Sequence, residues 1–251
     1  MDRALATLSG EVQHPPLGVV APIASSYGST CEMTDQLLAP RTAADVRQAL
    51  SKLRTVASLQ DLYDRATKAV CDYLGFDRAV VFRLEGFEML PHSVHFAGNP
   101  AWAEEFREIG MKTPMRIDFD IVETEMISTR APMLVPEAQS NPRGFKPLVE
   151  ASRTRSYTAS PLVPENQIIG FLHADCYFQD RDVTENDRDA LGAFAEGLGY
   201  AIQRTALLAR VEQQRSRIIR LRSVIDETFE TMSTLVGSLE SETAPVRRQH
   251  D

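Results

Sequence analysis

Apolar residues near the carboxyl end recur every seven positions, at Val211, Ile218, Ile225, Met232 and Leu239, with Leu221 and Leu235 on adjoining core positions. That period predicts a helix wound around a partner helix. Thr184-Glu185-Asn186-Asp187 has the form of a capping box, and no proline follows before Pro245. A helix from Glu185 to Glu240 is therefore expected, about 84 Å long at roughly 1.5 Å per residue. Gln214 and Thr228 interrupt its apolar core, so the zipper by itself is expected to be weak.

Upstream the pattern changes. Residues 1–41 carry Pro15, Pro16, Gly18, Pro22, Gly28 and Pro40, and are read as a flexible arm. Thr42 and Asp45 cap a short leading helix, over 42–57, bearing Val46, Leu50 and Leu53. A second helix runs through Leu59, Leu62, Ala66, Val70 and Tyr73 or Leu74, and Gly75 stops it. Asp77–Leu84 and Met89–Phe96 read as strands joined at Glu85-Gly86. Between Ala101 and Arg130 the period is helical: Trp102, Phe106 and Ile109 share one face, and Ile117, Ile121, Val122 and Met126 repeat on another.

Met133–Val135 is a short strand, and Pro136, Asn141, Pro142, Gly144 and Pro147 predict an irregular rim after it. Arg155–Val163 and Ile168–Phe178 are strands joined across 164–167. The close hairpins require antiparallel pairing, so the expected class is α+β, a five-stranded antiparallel sheet flanked by helices.

An apolar share of 43% in 251 residues supports a true core. The net charge of -8 and a pI near 5.2 argue against a broad nucleic-acid surface. Cys31, Cys71 and Cys176 are too scattered for a disulfide framework or a Cys-x-x-Cys clamp, which fits a reducing cytoplasm. No stretch approaches the roughly 20 apolar residues that span a bilayer.

The order of Phe76–Phe82 (FDRAVVF), Ala131–Pro136 (APMLVP), Ala159–Val163 (ASPLV), Ile168–Ala174 (IIGFLHA) and the helical run Asp187–Ile202 resembles the GAF domain family. The resemblance spans about Ser58–Leu208. It implies a sensory domain over 58–208, a coiled-coil signalling helix over 209–240 and a tail or linker over 241–251. The pocket would lie between one sheet face and the covering helices. Ligand identity does not transfer, because family members hold cyclic nucleotides, haem, bilins, aromatic effectors or nothing. The Asn-Lys and Asp-Glu pattern of cyclic-nucleotide binders does not align here, and Cys176 at a strand end is insufficient for bilin attachment.

Candidate pocket walls are Phe82, Phe96, Trp102, Phe106, Met111, Met115, Phe119, Tyr157 and Phe171, with Tyr157 and His173 as polar selectors. Ordinary core packing is the competing role for each. His92 and His95 lie three apart in a strand and are expected on opposite faces, so they form no obvious metal pair. A single histidine could ligate haem; the cofactor is otherwise left open. Arg153 and Arg155 could neutralise an anion, or simply face water.

No catalytic constellation stands out, and no nucleophile motif is present. The expected function is the input module of a bacterial transcription regulator, which binds an uncharged or weakly acidic effector and signals through a homodimeric helix to an output domain absent from this chain. The alternatives are a ligand-independent dimerisation module or the input domain of another signalling protein. Arg210, Arg215, Arg217, Arg220 and Arg222 precede Asp226, Glu227 and Glu230. That series favours antiparallel pairing, whereas family architecture favours parallel; solvent screening of flanking charges tips the expectation to parallel.

Overall fold

The computed structural model describes residues 43–117 and 120–242, with side-chain surroundings through residue 235. The expected arm, Phe119, the Leu239 side chain and most of the tail lie outside the described residues. The elements are α1 (Ala43–Ser51), α2 (Leu59–Leu74), β1 (Arg78–Glu85), β2 (Glu88–Phe96), α3 (Pro100–Lys112), β3 (Met115–Arg116) and α4 (Val122–Thr129). There follow β4 (Met133–Val135), α5 (Lys146–Ser152), β5 (Tyr157–Leu162), β6 (Gly170–Asp175) and α6 (Glu185–Glu242).

The strands form one sheet in the order β3-β2-β1-β6-β5-β4, every neighbouring pair antiparallel. It has six strands rather than the expected five. The extra one, β3, is a two-residue edge pairing Met115 with Met89 and Arg116 with Glu88, too short to leave a periodic signal. The chain around Ile117 therefore turns instead of continuing a helix, and helical structure resumes only at Val122.

Helix α2 shows why local sequence produced these elements. The Ser58 hydroxyl accepts from the Asp61 amide at 3.1 Å, and Gly75 closes the other end at φ 64° in the left-handed region. Between the caps, Leu62, Ala66, Ala69, Val70 and Leu74 are buried at helical spacing. With α1 and the first part of α6 they cover one sheet face over Ala79, Val81, Leu172 and Ala174. The opposite phase of the same strands, Val80, Phe82 and Phe171, packs beneath α3, α4 and α5.

Two close approaches lock this arrangement. A Cβ on Gly170 would fall 2.0 Å from the Phe82 carbonyl oxygen, so β6 can pair with β1 there only as glycine. One on Gly197 would meet Leu50 at 2.4 Å, which marks where α6 crosses α1. At the start of α6 the capping box is reciprocal: the Asp187 amide donates to Thr184 Oγ1 at 3.3 Å and the Thr184 amide to Asp187 Oδ2 at 2.9 Å.

The rim after β4, expected to be irregular, contains α5. Its proline, Pro147, stands in the first turn, where a missing N–H loses no helical hydrogen bond.

Candidate functional site

A cavity of about 70 Å³ lies between the sheet and α3, α4 and α5. The sheet contributes Arg78, Val80, Phe82, Phe96, Met115, Tyr157, His173 and Asp175; the helical side contributes Phe106, Glu123, Phe145, Leu148 and Val149. Most of this wall is apolar because these are the upward-facing positions of alternating strands. The polar groups gather in two clusters.

The first cluster is Glu123, Tyr157 and His173. Glu123 is in the first turn of α4, only 2% exposed, and its Oε1 accepts from the Tyr157 hydroxyl at 3.2 Å. His173 stacks on Tyr157, ring centroids 5.2 Å apart and 18° from parallel, with Phe82 on another side at 4.7 Å. Its Nε2 comes within 3.5 Å of Glu123 Oε1 but is out of line for a hydrogen bond, so it is buried without a partner.

Burial dominates the ionisation of all three. It raises the Glu123 carboxyl to about 7, against the lowering effects of its own backbone amide, the Tyr157 hydroxyl and Arg143. Burial lowers His173 to about 3, which keeps the imidazole neutral. It also pushes the Tyr157 phenol well up, and the charge of Glu123 adds to that.

The second cluster is Arg78. Its side chain is 2% exposed, and its Nε and Nη2 donate to the two Asp175 carboxylate oxygens at 2.8 and 2.5 Å. The guanidinium also lies against the rings of Phe96, Trp102 and Tyr177, 4.4 to 4.9 Å from their centroids. Arg78 Nη1 reaches the Ser152 carbonyl at 2.6 Å, Trp102 Nε1 donates to the Ala151 carbonyl at 3.0 Å, and Gln139 Nε2 donates to the Val149 carbonyl at 2.9 Å. Those carbonyls are the ones a helix end leaves unpaired. The rim helix is thus tied at its C-terminus to the sheet, to α3 and to the preceding loop.

Of the residues selected from sequence, Phe82, Phe96, Phe106, Met115, Tyr157 and His173 line the cavity. Phe171 is fully buried in the same apolar layer but does not reach the cavity wall, and Trp102 packs over Arg78. Met111 is 46% exposed on the outer face of α3, away from the site. Arg153 is exposed and Arg155 pairs with Asp180, so neither enters the cavity. Sequence reasoning missed Glu123 and Arg78. The available signal for Arg78 was its position, a charge opening the apolar run Ala79–Phe82.

His92 and His95 do not point to opposite faces. The β1–β2 register slips between Val81 and Phe82, which leaves His92 as an extra residue in a bulge and reverses the side-chain phase. His92 therefore packs edge-on against Tyr63 of α2 at 4.9 Å, while His95 senses Lys68 and Asp72 of that same helix. Among the described residues no cluster of acidic, histidine and cysteine side chains is arranged to hold a metal.

A haem does not fit the site: a macrocycle far exceeds 70 Å³, and His173 is wedged between Tyr157 and Phe82. Cys176 lies in the layer under α2 and α6, its Sγ 3.9 Å from the Gly75 carbonyl, on the opposite side of the sheet from the cavity. Among the described residues no helix is long and apolar enough to cross a membrane.

The family model for the GAF domain matches residues 58–202. No curated protein matches the chain in sequence. Among solved structures, the fold is similar to the GAF domain of a phosphoenolpyruvate-protein phosphotransferase from Coxiella burnetii, with TM-score 0.52, 12% identity, and coverage of 66% of this chain and 95% of that one. It is also similar to residues 122 to 287 of a methyl-accepting chemotaxis protein, with TM-score 0.51, 20% identity, and coverage of 64% and 98%. A third likeness is to the phycocyanobilin-bound GAF domain of a cyanobacterial phytochrome, with TM-score 0.50, 15% identity, and coverage of 65% and 94%. At these identities the likenesses concern the fold.

Proposed function

The chain belongs to the GAF domain family, whose members are small-molecule-sensing modules in varied signalling proteins, and on that footing we propose that it binds a small effector in the cavity and reports occupancy through α6. The observation that carries the reading is His173 Nε2, a buried polar atom without a partner at the edge of a largely apolar cavity. Leaving such a group unpaired costs about 1 to 3 kcal/mol, which a ligand can recover.

The route outward is short. Strands β5 and β6 present Tyr157 and His173 to the cavity, and their alternate residues Leu162, Leu172 and Ala174 pack in the layer shared with Leu191, Phe194 and Leu198 of α6. A ligand that moves β6 therefore pushes on the outgoing helix. It shifts the signal only if it binds one helix arrangement better than another.

Beyond Thr205, α6 exposes Val211, Ile218, Leu221, Ile225, Met232 and Leu235, each more than half exposed. A second copy of the chain, paired in parallel through these positions, is the partner that heptad spacing favours. The effector is an uncharged or weakly acidic molecule, since Arg78, the one buried cation among the described residues, is already neutralised by Asp175. The output we favour is that of a bacterial transcription regulator, on the order of a sensor followed by a long helix. The same order serves the input of another signalling protein equally well.

Native mass spectrometry of the purified chain identifies a retained effector, and spin labels at position 222 report the spacing of paired helices as it is titrated. Saturable binding with a changed distance distribution is expected. Binding that leaves the distances untouched would reduce the domain to a ligand store, and no binding would remove the sensory reading.

A further inference from the structure

The polar end of the cavity is richer in acceptors than in donors. The Tyr157 O–H is spent on Glu123, and the guanidinium donors of Arg78 go to Asp175, Thr154 and the Ser152 carbonyl. What remains is the pair formed by His173 Nε2 and the Glu123 carboxyl, 3.5 Å apart and misaligned. If the imidazole proton is on Nδ1, Nε2 is an empty acceptor. If it is on Nε2, the ionised carboxylate still has lone pairs beyond those taken by Tyr157 and its own amide. In both tautomers the pair can receive a hydrogen bond from something inside the cavity. With Glu123 ionised, above about pH 7, a carbonyl or carboxylate ligand finds a donor only in the second tautomer, at Nε2–H, and there it also faces the Glu123 oxygens.

From this imbalance we infer that the cavity selects small uncharged molecules with an N–H or O–H donor on a compact apolar body, the donor directed at His173 and Glu123. The inference rests on the sensory reading of the same cavity and sets its ligand class. Size tightens it. A buried apolar cavity of roughly 150 Å³ takes up benzene, and this one is about 70 Å³. At that volume the body is smaller than a six-membered aromatic ring.

Pyrrole and furan separate donor selection from simple filling, because the five-membered rings have nearly the same shape and only pyrrole carries an N–H. Methyl resonances of Met115, Val80 and Leu148, which face the cavity, are followed by NMR in the full chain as each probe is titrated. Pyrrole is expected to give saturable shifts with at least tenfold higher affinity than furan. His173→Phe should reduce that preference to less than about threefold. Tyr157→Phe releases a further acceptor site on Glu123, so it should keep or enlarge the preference, which makes the test independent of how the first variant folds. Equal binding of both rings to the wild type would overturn the donor rule while leaving the cavity a ligand site. Failure of both to bind would overturn the rule and the sensory reading together.

Discussion

Helix α6 is one continuous element with two kinds of hydrophobic surface. In its first turns Leu191, Phe194, Ala195, Leu198 and Ile202 are buried at spacings of three and four. Farther along, Val211, Ile218, Ile225 and Met232 recur at seven and are 54 to 66% exposed. The first spacing follows a helix lying on a wide, rigid sheet, where a broad stripe can be covered. The second follows a narrow seam that one neighbouring helix can fill. Exposed apolar residues of that number mark an interaction surface rather than a packing accident. The same helix is therefore part of the sensor at one end and an interaction arm at the other.

The sharpest way to break that division is to replace Ile218 and Ile225 together with asparagine. Each side chain loses about 1.5 to 3 kcal/mol of burial if the seam is closed. Sedimentation should show a monomer, while thermal unfolding of the sensory domain stays near that of the wild type. An unchanged mass would place the main interface elsewhere.

Phe194→Ala tests the opposite end. Its ring is fully buried, and truncation should destabilise the domain by about 3 to 5 kcal/mol in denaturant unfolding. Helix pairing should survive wherever the domain remains folded.

Glu123→Gln acts only inside the sensor, with an effect that grows from about pH 4.5 and is complete above neutrality. The folded chain holds the Glu123 proton more tightly than the unfolded chain, with the group raised from 4.5 to about 7. Its contribution to stability is therefore present below about pH 4.5 and is lost as pH rises towards 7. His173, lowered from 6.5 to about 3, works the other way, its contribution growing as pH rises across that interval. By pH 8 the imidazole is neutral in both states and the buried carboxylate alone remains costly. The variant should be about 2 kcal/mol more stable than wild type at pH 8 and indistinguishable at pH 4, by denaturant titration. A gain at pH 4 instead would mean that the amide improves packing and that ionisation is irrelevant.

Thr228→Leu carries the smallest effect. Filling one polar gap in the seam should tighten association by about 1 kcal/mol, read as a several-fold drop in the dissociation constant, without altering ligand affinity. No change in association would place position 228 outside the seam.

Much of the architecture was legible because it is encoded over a few residues. The Thr184 cap, the stop at Gly75 and the alternation through Val80 and Phe82 each report on neighbours within a turn or a pleat, and the helices and strands fall there. Departures occur where short-range signals are thin or misleading. Two residues are too few to announce β3, Pro147 concealed α5 by standing in its first turn, and one bulge residue turned His92 to the face that holds His95.

What the residues by themselves determined is a helix-flanked antiparallel sheet followed by a helix with a seam, since periodicity and capping depend on adjacent positions. The character of the cavity was decided by tertiary structure alone. Glu123 meets Tyr157 across 34 positions and Arg78 meets Asp175 across 97. In sequence both are ordinary charged residues, which usually face water. Only folding buries one beside a neutral histidine and the other inside a cage of rings, because desolvation depends on which distant parts of the chain exclude the solvent.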